Sequence, residues 1–74
     1  MHSGRMSTPI VVHRSAPAGG RVVTINDEMV GLVHDDHALI ELLRRAGIYD
    51  AEHCIDDPQW IEWRGGPAHR YEPA

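Results

Sequence analysis

Hydrophobic and polar positions alternate with period two across residues 21–26 and 29–34, then change to a helical period across residues 35–48. In the first stretch Val23 and Ile25 share a face, and in the second Val30 and Leu32 do. An even-length connection at Asn26-Asp27 or Asp27-Glu28 aligns those pairs on one side of a hairpin, because side chains on a strand alternate sides. Asn-Asp also suits a tight primed turn. At 100° per residue, Leu39, Leu42, Leu43 and Ala46 fall in one helical stripe, with Ala38 and Ile40 at its margins. His37, Glu41, Arg44 and Arg45 lie opposite, and Glu41 precedes Arg45 by four residues, the favourable orientation for an ion pair. Asp35 or Asp36 caps the start. Gly47 stops the helix, and Ile48 folds back onto its last turn. The expected core is therefore Val23, Ile25, Val30, Leu32, Leu39, Leu43 and Ala46.

Two weaker strand patterns flank this unit. Residues 10–14 form a β-branched run, and residues 60–64 alternate so that Ile61 and Trp63 share a side. Ser15-Ala16-Pro17-Ala18-Gly19-Gly20 reads as a connector, and Asp50 can cap one short helical turn before the stop at Asp57-Pro58. The expectation is an α+β fold: an antiparallel sheet of three to four strands with one main amphipathic helix packed on one face. It forms a single domain over residues 10–66, between flexible tails at 1–9 and 67–74. Met6 offers a second start beside Met1.

The other face of the hairpin carries Val22, Thr24, Met29, Gly31 and Val33, too apolar for a solvated surface. Either residues 10–14 or a second copy covers it. A chain of 74 residues buries only about 60% of its unfolded surface, so extra burial matters. A homodimer through Val22, Met29 and Val33 is expected.

Composition narrows the function classes. Cys54 is the only cysteine, which excludes an internal disulfide and suits a reducing, cytoplasmic setting. No apolar run approaches the roughly 20 residues of a membrane span. The formal net charge of −4, with all seven basic residues arginine, disfavours nucleic acid, where phosphate neutralisation supplies most of the affinity.

Six histidines invite a metal reading. His34 and His37 flank two aspartates at the strand-to-helix junction, and His53 and Cys54 follow in the next connection; zinc accepts such mixed ligands. Adjacent residues point in different directions, however, and Asp35 and Asp36 are also what a helix start requires. Cys54 beside His53 is the one candidate catalytic thiol, but adjacency alone supplies neither an orienting group nor an oxyanion site. No nucleotide-binding glycine pattern is present, and no cofactor is expected. Trp63 belongs with Ile61 in the core. Trp60 shares the other side with Glu62 and Arg64; together with Glu41, Arg44 and Arg45 on the helix it is the candidate partner surface, tryptophan and arginine being the types that dominate interfaces.

Arg21-Val22-Val23-Thr24-Ile25, Leu42-Leu43-Arg44-Arg45-Ala46-Gly47-Ile48, Asp56-Asp57-Pro58 and Ile61-Glu62-Trp63-Arg64-Gly65-Gly66 together resemble a group of small uncharacterised proteins from high-GC Gram-positive bacteria. The resemblance implies a free-standing small domain and carries no functional residue. The expected function is a small non-enzymatic cytoplasmic interaction module, regulatory or accessory. A zinc-binding domain and a small accessory subunit of an enzyme complex are the alternatives.

Overall fold

A computed structural model describes residues 8–73. Most of the expected N-terminal tail, residues 1–7, lies outside the described residues, as does Ala74. The elements run β1 (Ile10–Ser15), β2 (Arg21–Ile25), β3 (Glu28–Val33), α1 (Asp36–Arg45), α2 (Ala51–Cys54) and β4 (Ile61–Trp63). The fold is α+β, with a four-stranded sheet in the order β3-β2-β1-β4.

The sheet is mixed rather than antiparallel throughout, because β4 runs parallel to β1. Two successive hairpins give β3 the direction of β1. The chain then crosses back over one face through α1 and α2, so it re-enters the sheet running the same way as β1. Ile61 and Trp63 stand beside Ile10 and Val12 and share their face, as the alternation indicated.

Asn26 and Asp27 make the two-residue turn of the second hairpin, with φ of 52° and 69°. Both values are positive, as a primed turn requires. The register then slips: Thr24 faces Met29 but Val23 faces Gly31, leaving Val30 as an extra residue on β3. A bulge of this kind reverses the facing of every later residue on its strand. Val33 therefore lies in the core at 2% exposure, and Leu32 faces outward at 50%. Val33 is unavailable to the outer-face contact expected of it, and Leu32 takes its place there. Gly31 is likewise on the inner face; a Cβ at that position would sit 3.1 and 3.2 Å from the two methyls of Leu42. The glycine lets α1 lie close to the sheet.

Asp35 caps α1, its side chain accepting from the Ala38 amide at 2.7 Å. The helix ends in a Schellman turn: Gly47, at φ 99°, donates to Arg44 and Ile48 donates to Leu43. Ile48 is thereby folded onto the core, and Ala46, expected inside, is exposed at the cap. The buried cluster joins Ile10, Val12, Val23, Val33 and Ile61 of the sheet to Leu39 and Leu43 of α1 and to Ala51, Cys54 and Ile55 around α2. Ile25 and Val30 are half-buried at its rim. Each fully buried aliphatic side chain contributes about 1.5–3 kcal/mol relative to exposure.

Candidate functional site

Polar chemistry collects where residues 64–73 fold back across the end of the sheet. Arg21 opens β2 on the same face as Val23 and Ile25, and at 1% exposure it is buried. Its Nε donates to the His13 carbonyl (2.7 Å), Nη1 to the Pro67 and Arg70 carbonyls (3.0 and 2.9 Å), and Nη2 to the Arg64 carbonyl (2.6 Å). The guanidinium carbon lies 5.3 Å from the ring centroid of Trp63, in cation–π range. Burial pulls the guanidinium pKa below its ordinary value. Backbone dipoles, rather than a carboxylate, receive its hydrogen bonds.

Beside it, His69 bridges two elements. Nδ1 lies 2.7 Å from Asp36 in the first turn of α1, and Nε2 lies 2.8 Å from Asp56 after α2. The Tyr71 hydroxyl donates to the other oxygen of Asp36 at 2.6 Å, and the Tyr71 carbonyl accepts from the Gly20 amide at 3.0 Å. Burial lowers the His69 pKa, but hydrogen bonds to Asp36 and Asp56, with their charges, outweigh it and the net shift is upward. Burial also raises the Tyr71 phenol, reinforced by its bond to Asp36. Residues 67–73, expected as a flexible tail, are tied to β2, α1 and the β1–β2 connection by these bonds.

Both ring nitrogens of His69 are thus engaged by carboxylates within the fold. His69 lines two cavities, one of about 150 Å³ with Ile55, Pro58, Ile61 and Trp63, and one of about 320 Å³ with His34, Arg70, Tyr71 and Glu72.

The candidate metal ligands do not converge. His34 packs its ring over Gly20, where a Cβ would come within 2.8 Å of Nε2, and His37 is exposed on α1. His53 is exposed and pairs with Asp50 at 2.7 Å, whose hydrogen bond raises its pKa. Cys54 points into the core, and burial raises its thiol pKa, with Asp50 and Asp57 adding to the shift. Among the described residues no group of three or more His, Cys, Asp or Glu side chains is placed to hold a metal ion. Compared with protein-family models, curated proteins and solved structures, the chain matches none.

The four candidate partner residues are split by the fold. Trp60, 45% exposed, sits at the entry to β4, one edge of the sheet, while α1 lies over β3, the opposite edge. Arg44 pairs with Glu52 of α2 at 3.1 Å, and the expected Glu41–Arg45 ion pair does not form among the described residues. Arg45 borders a groove with Val30, Leu42 and Ala46. Glu41 is exposed. Three of the four lie on α1, and Trp60 immediately precedes β4.

Sequence reasoning gave no role to Arg21 or Tyr71, left His69 in the tail and read Asp36 only as a helix-start acid. Two signals pointed to Arg21 and to a further partner for Asp36. Alternation puts Arg21 on the face of Val23 and Ile25, and of two adjacent aspartates only one can cap a helix, which leaves the other for another partner.

Proposed function

We propose that this chain is a small non-enzymatic interaction module that associates through the back of its sheet, which no described element covers, first with a second copy of itself. The observation that supports this is the one-sided layering of the fold. Both helices pack into the core cluster on one face, and among the described residues no element crosses the other. At the β3 edge that back face carries Met29 at 67% and Leu32 at 50% exposure, with half-buried Val22 and Thr24 beside them on β2 and buried Val11 beyond on β1. Large apolar side chains gathered on one face mark association sites. The patch is self-complementary in chemistry, and two such backs can stack about 10 Å apart as aligned sheets.

The non-enzymatic part of the reading is supported by the occupied nitrogens of His69 and by the buried, protonated thiol of Cys54. The test is a mixture of isotopically labelled and unlabelled chains, in which NMR detects contacts between copies. Contacts from the Met29 and Leu32 methyls are expected. Inter-copy contacts confined to Trp60 or α1 would move the interface to the other surface and overturn the assignment.

A further inference from the structure

We infer that the hollow beneath residues 67–73, the C-terminal strap, is a binding site for a small phosphate-type oxyanion. Arg14, Arg21 and Arg70, three of the seven arginines in the chain, line one cavity of about 320 Å³ with Ser15, Gly65 and Gly66. Glu72, on the rim, is the acidic residue of that lining, and it pairs with Arg70 at 3.3 Å. The local balance is thus +2 in a chain whose formal net charge is −4. Charge alone would describe many surfaces; the construction of this one is more particular.

The wall is rigid and cationic. Arg21 is fixed by four carbonyls, and its second Nη2–H has no partner among the described residues. Beside it the lining is bare backbone. Gly65 adopts φ +74°, and a Cβ there would collide with the Cβ of Arg14, so no side chain can occupy that position. The amides of Gly65 and Gly66 donate to no acceptor among the described residues, and the Arg14 guanidinium makes no ion pair among them. Left-handed glycine turns with free amides make anion-holding concavities, and arginine forks match tetrahedral oxyanions. The volume exceeds that of bare phosphate, which leaves room for the carbon portion of a small phosphomonoester. This inference is independent of the sheet-back interface.

The experiment uses the full chain. Inorganic phosphate, glycerol phosphate and acetate are titrated separately at constant ionic strength, following the Gly65 and Gly66 amide resonances and the heat of binding. Saturable one-to-one binding of phosphate and glycerol phosphate is expected. Arg14→Gln and Arg70→Gln, both at exposed positions, should each weaken it about tenfold while leaving the melting temperature in place. Non-saturating shifts of equal size for all three anions, unchanged in the variants, would overturn the site. Acetate binding as tightly as phosphate would overturn the phosphate assignment.

Discussion

Replacing Arg21 is the most severe test of how the molecule holds its C-terminal strap. In Arg21→Ala the carbonyls of His13, Arg64, Pro67 and Arg70 lose their donor together, and Trp63 loses the cation beside its ring. Hydrogen bonds to charged groups contribute about 1.5–3 kcal/mol each, though not additively, and some of the released carbonyls would be rehydrated. A loss of about 3–5 kcal/mol follows. Against a total of roughly 4–11 kcal/mol for a domain of 74 residues, this brings the chain close to unfolding. Arg21→Lys keeps the charge but has three donors on a single atom and cannot reach all four carbonyls, so it should fall between the two. The assay is urea denaturation followed by tryptophan fluorescence, with hydrogen exchange at the Gly20 amide, which donates to Tyr71 of the strap. That amide should lose protection before the core does. An Arg21→Ala protein within about 1 kcal/mol of wild type, with Gly20 still protected, would refute this account of the strap.

Three further outcomes are expected. The raised pKa of His69 means that its contribution is complete below the unfolded value of about 6.5 and fades as pH rises through the folded value. The stability lead of wild type over His69→Gln should therefore shrink as pH rises above the unfolded value of about 6.5, with a pH-independent lead as the contrary result. His53 shifts in the same direction but is present in both proteins and cancels. Leu39→Ala should cost about 2–5 kcal/mol and Val33→Ala about 2, whereas an outward-facing Val33 would cost under about 0.5, which thermal melts distinguish. Cys54 should react with a thiol reagent only as fast as the protein opens; rapid labelling of the native state would contradict its burial.

The elements governed by local chemistry were legible in the sequence. The Asp35 cap, the Leu39/Leu43 stripe, the Gly47 stop with Ile48 folded back and the Asn26-Asp27 turn all follow from neighbouring residues. What was not legible depends on partners distant in the chain. The bulge at Val30 arises from pairing with β2, and it exchanges Leu32 and Val33 between surface and core. The parallel placement of β4 follows from the path of the whole α1–α2 connection. The strap could not be read because Gly65-Gly66-Pro67 signals a chain leaving the domain, while what holds residues 67–73 is an arginine more than 40 residues earlier and an aspartate at the start of α1. The candidate site was harder still: Asp36 and His69 look like a helix-capping acid and a tail histidine until the fold joins them.

The proposal that the back of the sheet is an association surface is tested most directly by mass. Light scattering behind a sizing column, over a range of concentrations, should return a dimer for wild type at tens of micromolar and a monomer for Leu32→Glu, with matching circular dichroism spectra. A wild-type chain that remains monomeric at every concentration and is indistinguishable in mass from Leu32→Glu would contradict it.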